Sequence, residues 1–332
     1  MELSRAKELI NQFAGKCVLV VGDVFLDRYI YGKVERLNPE APVPILLAQE
    51  EKKATGGAGN TAKNLAMLGA QTILIGVSGE DDVADEVAET AGKEGYDLKP
   101  VRDKERSTID KTRFIVKTQQ ILRVDYEEAS DVSGEVEEKL IAAIREAAKE
   151  ADGVLVSDYA KGVVTEKVAE AVQVVCKENN LPLMADVKPS RINYFTNATY
   201  LSPNRKEAHE FLGLNQFDGG GKDKEELAAL LHETFGATIF LTLSDQGIYV
   251  FDGGGEGEHI PQDYVKSNDV LDPSGCGDTV AAVVLLAKLG GAEDAEAADL
   301  ANAAAAVVAH KIGSAGTTGA EVIDLLTHYN ER

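Results

Sequence analysis

The chain alternates between short runs of consecutive apolar residues and longer stretches in which apolar residues return every three or four positions. Runs of the first kind cover 17–21 (ending at Gly22-Asp23), 72–77, 153–156, 181–185 and 238–243. Strands buried on both faces read this way. Helical periodicity marks an amphipathic N-terminal segment beginning Met1-Glu2-Leu3-Ser4-Arg5, then 57–68, 83–93, 134–149, 165–177, 204–212 and 222–233. Two alanine-rich helices, 277–289 and 295–310, close the predicted order. Repeated strand–helix alternation predicts an α/β fold: a mostly parallel central sheet covered by helices on both faces. Gly219-Gly220-Gly221 and Gly253-Gly254-Gly255 are expected loop tips.

Two stretches break the alternation. Residues 29–55 hold Pro39, Pro42 and Pro44 between short extended pieces and carry no helix signal. Residues 112–127 read as two alternating strands, Arg113-Phe114-Ile115-Val116 and Ile121-Leu122-Arg123-Val124-Asp125, turning at Gln119-Gln120. Both are expected in a small β-sheet standing off the main layer. Such a sheet serves as a flap over a ligand cleft or as a dimer-forming surface, and the two uses are compatible. The chain is therefore expected to be one domain over 1–332, with lid segments at about 28–55 and 111–127.

Composition narrows the function. A net charge of -22 argues against a nucleic-acid partner, because a phosphate backbone needs a basic face. It also means that an anionic substrate must be held by local cations, backbone amides or a metal ion. There is no apolar run of about 18 residues, so no membrane span is expected. The N-terminus lacks the apolar core of a signal peptide. Cys17, Cys176 and Cys276 lie far apart without CxxC spacing, which argues against a disulfide framework or zinc site and fits a reducing, cytoplasmic setting. Cys17 and Cys176 are expected in the core.

The chemistry concentrates in Asp272-Pro273-Ser274-Gly275-Cys276-Gly277-Asp278-Thr279, which runs directly into an apolar helix. A small-residue loop opening a helix aims free backbone N–H groups at one point and makes an anion site. Asp278 beside such a cradle suits phosphoryl transfer: its carboxylate takes a hydroxyl proton while the amides of Gly275, Cys276 and Gly277 stabilise the moving phosphoryl group. An isolated Gly-Asp-Thr would read as a helix cap. At that helix start the Cys276 thiol is expected either activated as a thiolate by the dipole or turned inward and unreactive. A second glycine segment, Gly56-Gly57-Ala58-Gly59-Asn60-Thr61-Ala62-Lys63-Asn64-Leu65, contains Gly57-x-Gly59-x-x-Ala62. That spacing formally fits a dinucleotide fingerprint, but Gln49-Glu50-Glu51-Lys52-Lys53 precedes it in place of a buried strand. Walker A, HxGH, HExxH and Gly-x-Ser-x-Gly patterns are absent from the sequence.

Together, in this order, the two glycine segments resemble the signatures of the ribokinase-like (PfkB) carbohydrate kinases. Val21-Gly22-Asp23-Val24-Phe25-Leu26-Asp27-Arg28-Tyr29, Asn38-Pro39-Glu40-Ala41-Pro42-Val43-Pro44, Gln119-Gln120-Ile121-Leu122-Arg123-Val124-Asp125 and Ser157-Asp158-Tyr159-Ala160-Lys161-Gly162 resemble the branch of that family acting on a heptose 7-phosphate. The likeness runs from about Cys17 to Thr318 and, without an HxGH domain, is to the kinase-only form. It implies a ribokinase-like three-layer sandwich with a small β lid, and ATP-dependent phosphorylation of the sugar phosphate at its anomeric hydroxyl. ATP and Mg²⁺ are the implied cofactors, K⁺ is left open, and a homodimer through the lid is expected.

On residues, the resemblance makes Asp278 the base and Gly275 to Gly277 the anion hole. Asp27, Arg28, Gly56, Gly57 and Asn60 would line the sugar. Asn204, Arg205, Lys206 and Glu207 match an element near the nucleotide phosphates and Mg²⁺, with Glu207 as metal ligand. Thr242, Ser244, Gly247 and Asn302 would flank the nucleotide. Asp272, Ser274, Gly313 and Thr317 resemble a monovalent-cation loop. Arg113 and Arg123 fit either a solvated strand face or, on a flap, a hold on the sugar phosphate. Lys161 follows a core strand and is assigned to the same substrate. Ser274 and Cys276 stand where the family more often has Thr and Ala, and Asp186-Val187-Lys188 where the branch has Asp-Pro-Lys. Two other readings remain: a catalytically silent sugar-binding regulator, which an intact Asp278 argues against, and a nicotinamide oxidoreductase resting on Gly57-x-Gly59-x-x-Ala62 alone. A kinase for another sugar is the nearer alternative.

Overall fold

A computed structural model describes residues 1–214, 222–266 and 269–330. The apolar runs pair into a nine-stranded sheet with helices on both sides. Its strands are β1 (Cys17–Gly22), β4 (Gln71–Gly79), β5 (Asp97–Asp103), β8 (Gly153–Ser157), β9 (Leu183–Asp186), β10 (Tyr200–Leu201), β11 (Thr238–Thr242), β12 (Ile248–Phe251) and β13 (Glu258–Ile260). Their order is β13-β12-β11-β10-β9-β8-β1-β4-β5. All neighbours are parallel except at β11/β12 and β12/β13. In β1, Val18 and Val20 face one helical layer and Leu19 and Val21 the other. That two-sided burial is why the strand reads as unbroken apolar sequence. The first layer holds α1 (Leu3–Phe13), α2 (Ala58–Met67), α3 (Asp82–Glu94), α8 (Cys276–Leu289), α9 (Asp294–Ala309) and α10 (Gly319–Asn330); the second holds α4 (Gly134–Ala147), α5 (Glu166–Asn179), α6 (Arg205–Phe211) and α7 (Lys224–Phe235). The expected α/β sandwich is present.

The two irregular stretches form a second, four-stranded sheet of order β3-β2-β6-β7, made by β2 (Val24–Leu37), β3 (Pro44–Gly57), β6 (Asp110–Val116) and β7 (Gln119–Tyr126). Residues 29–55 are thus two long strands of one hairpin, not short pieces, with the prolines near its tip, where they interrupt no ladder. The second turn lies at Lys117-Thr118 rather than at Gln119-Gln120, which both pair in β7; Lys117 takes the positive φ of 57° there. A third helix, α10, follows the two alanine-rich ones. Gly219-Gly220-Gly221 falls outside the described residues.

Strand order reverses at β1: the chain passes to β4 on one side and returns to β8 on the other. In open parallel sheets ligands bind beyond the strand ends at such a point. Asp23, Asp158 and Asp186 all stand at strand C-termini here. Asp23 is an anchor: its carboxylate accepts from the backbone N–H groups of Tyr159 (2.8 Å), Lys161 (3.1 Å) and Val163 (3.0 Å).

Candidate active site

Asp278 sits in the first turn of α8, 5% exposed. α8 opens at Gly275, whose φ of 83° favours glycine and lets the loop turn sharply into the helix. Gly57, with φ 60° and the Asp23 carbonyl 2.3 Å from where a Cβ would stand, does the same for α2. The two helix starts face each other. Asn60 Nδ2 donates to Asp278 Oδ2 at 2.6 Å, Thr61 Oγ1 to Oδ1 at 3.2 Å, and the Tyr159 hydroxyl to Oδ1 at 2.7 Å. Burial pushes the Asp278 carboxyl above the ordinary range, while the donors from Asn60, Tyr159 and Thr61, and the Lys63 charge, oppose the rise. Asn60 Oδ1 is buried without a partner among the described residues.

Beside Asp278 opens a cavity of about 720 Å³. Of the residues the sequence assigned to the nucleotide, it brings together Asn204, Glu207, Thr242, Ser244, Gly247 and Asn302, with Gly275, Cys276 and Gly277 at the end nearest Asp278. Asn204 caps α6 in a reciprocal pair with Glu207: the Glu207 N–H donates to Asn204 Oδ1 at 2.9 Å and the Asn204 N–H to Glu207 Oε2 at 3.1 Å. Arg205 and Lys206 are not in the lining. One helical step turns Lys206 outward to Glu210, 3.7 Å away. The anion hole is narrower than expected, since the Cys276 N–H bonds the Pro273 carbonyl at 3.2 Å. The amides of Gly275 and Gly277 have no acceptor among the described residues.

The structure also corrects the activated-thiolate reading of Cys276. Burial, with the charges of Asp272 and Asp278 added, pushes its thiol up to about 11. The Sγ lies 3.7 Å from the Ala305 carbonyl. Desolvation and two nearby anions act against the helix dipole here. Brief iodoacetamide treatment near neutral pH is therefore expected to leave Cys276 almost unlabelled, read by mass spectrometry; rapid alkylation would contradict this burial.

On the other side of Asp278 lies the lid. Asp27 is 2% exposed, ion-paired to Arg113 and bonded by Ser314 Oγ at 2.9 Å. Gly56 packs against its carboxylate. Arg28 does not join it. Successive strand residues face opposite ways, so Arg28 points to the back of the lid, held by Asp110 (2.9 Å), Glu51 (2.6 Å) and Glu86 (3.0 Å). Register places Asp27 opposite Lys111, Tyr29 opposite Arg113, and Arg113 opposite Arg123, all on the cleft face. Lys111 bonds Asp125 (3.1 Å) and Glu127, Lys161 bonds Glu127 (2.7 Å), and the half-exposed Arg123 bonds Asp125 (2.8 Å). Lys111 Nζ stands 5.4 Å from the Phe25 ring centre, and Phe25 packs edge-on against Tyr159. Asp272 accepts from the N–H groups of Ser274 and Gly313, both at 2.9 Å, and so ties the 272–274 and 313–317 loops together; Thr317 is fully buried.

Sequence reasoning assigned no role to Tyr159, Thr61, Lys111, Lys63 or Asp186. Lys111 had a signal, since it is two residues before Arg113 on an alternating strand. Asp186 lines the cavity and its carboxylate has no hydrogen bond among the described residues. Burial and the charges of Asp278 and Glu207 push it up to about 7. Lys188 also reaches the cavity, its Nζ 2.9 Å from Glu207 Oε1.

A carboxylate at a helix start, two amides without an acceptor among the described residues, and a cavity leading away suit phosphoryl transfer. Comparison supports this. The sequence profile of the pfkB family of carbohydrate kinases matches residues 16–319, and the chain belongs to that family. It is 39% identical over 310 residues to the bifunctional protein HldE of Trichlorobacter lovleyi, covering 93% of this chain and 62% of that one. To HldE of Caulobacter vibrioides it is 39% identical over 315 residues, covering 95% and 64%. The chain thus spans less than two thirds of these relatives. Similar solved folds include phosphofructokinase-2 from Escherichia coli in complex with potassium (TM-score 0.76, 14% identity, 95% and 99% covered). Arabidopsis thaliana ribokinase complexed with ribose and ATP is another (TM-score 0.70, 20% identity, 94% and 98% covered). Membership in that family makes this chain one of the pfkB carbohydrate kinases. Among the described residues no helix is long and apolar enough to cross a membrane.

Proposed function

We propose that the acceptor is D-glycero-D-manno-heptose 7-phosphate and that the phosphoryl group goes to its anomeric hydroxyl. The observation that carries this is the set of cations on the cleft face of the lid: Lys111, Arg113 and Arg123, joined by Lys161 through Glu127. Set against Asp27, Asp125 and Glu127 they leave one positive charge in excess, a local exception in a chain of net charge -22 that suits a phosphate on the acceptor.

The site supports a mechanism of direct transfer. Asp27, Gly56, Gly57 and Asn60 bind sugar hydroxyls, the orphaned Asn60 Oδ1 accepting one of them. The reacting hydroxyl gives its proton to Asp278 as its oxygen bonds to the γ-phosphorus of ATP. The bond to the bridging oxygen breaks and ADP leaves, the amides of Gly275 and Gly277 taking the charge that develops. Thr242, Ser244, Gly247, Asn204 and Asn302 hold the nucleotide. Mg²⁺ fits the oxygen donors of Asp186 and Glu207, since it is commonly bound by one or two carboxylates with substrate phosphates; it would neutralise phosphate charge. A monovalent cation would be held by the loops carrying Asp272, Ser274, Gly313 and Thr317. The chain acts as one domain with its lid, and exposed Leu37, Val43, Leu47 and Leu122 suit a homodimer through that sheet.

The test is ADP release from Mg-ATP across a panel of sugars and sugar phosphates. The heptose 7-phosphate is expected to give the highest kcat/KM. Free ribose or fructose outperforming every heptose phosphate would end the heptose assignment and leave the kinase intact.

A further inference from the structure

Lys63 has no part in that mechanism, yet only 7% of its side chain is exposed. It stands three residues after Asn60 on α2, so the two share a helix face. Its Nζ donates to the Ser314 carbonyl and lies 3.8 Å from Glu94 Oε1. An ammonium taken out of water is costly unless it is paired and hydrogen-bonded, and here both partners belong to functional pieces. Glu94, the last residue of α3, accepts from the Thr55 N–H at 3.3 Å and from its hydroxyl. Tyr96 OH donates to the same Thr55 at 2.8 Å. Thr55 is the lid residue directly before Gly56-Gly57.

The other partner matters more to the chemistry. The Ser314 N–H donates to the Tyr29 hydroxyl at 3.0 Å and Ser314 Oγ to Asp27 Oδ2 at 2.9 Å. A single residue of the 313–317 loop is thus held by Lys63 at its carbonyl and holds Asp27 with its hydroxyl. Burial pulls the ammonium's pKa down while the charges of Glu94, Asp278 and Asp27 oppose the fall, so the cation sits among the carboxylates of the acceptor side.

We propose that Lys63 is a positioning residue of the acceptor site: by gripping the Ser314 carbonyl it fixes the Ser314 hydroxyl on Asp27 and sets the carboxylate that receives the sugar. This rests on the reading of Asp27 as an acceptor ligand. The test is a double-mutant cycle in steady-state kinetics on Lys63→Met, Ser314→Ala and the pair, with Mg-ATP and the sugar or sugar phosphate that the wild-type protein turns over fastest. Losing one hydrogen bond to a charged group raises the acceptor KM about tenfold in each single variant. The ATP KM stays within about twofold, and the double variant is about as impaired as either single, because both act through one link. An unchanged acceptor KM in Lys63→Met, equal rises in both KM values, or fully multiplicative effects would overturn the proposal. Should Lys63→Met not fold, Lys63→Gln, too short for the carbonyl, takes its place with the same expectations. Asp27→Asn separates the two readings. If it leaves the acceptor KM unchanged, the role of Asp27 has failed; if it raises that KM while the Lys63 variants do not, only the Lys63 proposal has.

Discussion

Replacing Asp278 with Asn is expected to lower kcat by on the order of 10²–10⁴, the usual worth of a general base, with ATP binding unchanged by calorimetry. The substitution is well suited to the site. An Asn amide oxygen turned to Asn60 Nδ2 keeps that bond, and its NH₂ then faces the hydroxyls of Tyr159 and Thr61, which rotate to accept. Shape and packing survive while the proton acceptor is lost. In the wild-type protein burial holds the Asp278 carboxyl above the ordinary range. The base works only when ionised, so activity falls, as pH is lowered, at a higher pH than the reference Asp value of about 3.9. A variant retaining wild-type kcat would remove Asp278 from the chemistry.

The second large effect belongs to the lid. Lys111→Met with Lys161→Met is expected to lower kcat/KM for the heptose 7-phosphate by on the order of 10²-fold or more, since each charge-assisted bond to a phosphate contributes about 1.5–3 kcal/mol. An unphosphorylated acceptor should lose less than about threefold on the same basis. Asp125 keeps Arg123 as its partner at 2.8 Å in the double variant, whereas Glu127 loses both of its lysines. Parallel losses for both acceptors would mean that these lysines serve the lid's folding and not the phosphate.

How much of this was legible in the sequence depends on how local each signal is. β1, β4, β8, β9 and β11 announce themselves because burial on both faces leaves unbroken apolar runs. β5 does not: it is the sheet's edge, its sequence Asp97-Leu98-Lys99-Pro100-Val101-Arg102-Asp103 is mostly polar, and Pro100 argues against a central strand. β10 has only two residues, too few for a pattern. At the site, the two glycine segments were readable because a loop-to-helix turn is a local device. Tyr159, Thr61 and Asp186 were not, because they meet Asp278 only once β8, α2 and β9 are side by side. Arg28 shows the opposite failing. The resemblance assigned it to the sugar beside Asp27, although adjacent residues on one strand cannot both face the cleft.

The junction at Asp23 has a mechanical consequence. β2 leaves the end of β1 with that single residue between them, and Asp23 is pinned by three backbone amides. The lid is therefore no loosely tethered flap but the far arm of a lever whose near arm is a central strand. Fourteen residues of extended chain reach about 45 Å, so a rotation of about 5° at the fulcrum carries the hairpin tip through about 4 Å. Asp27, a few residues from the pivot, moves by only about 1 Å in the same swing. Any such swing would leave the Asp27 carboxylate almost in place while the outer lid moved across the entrance.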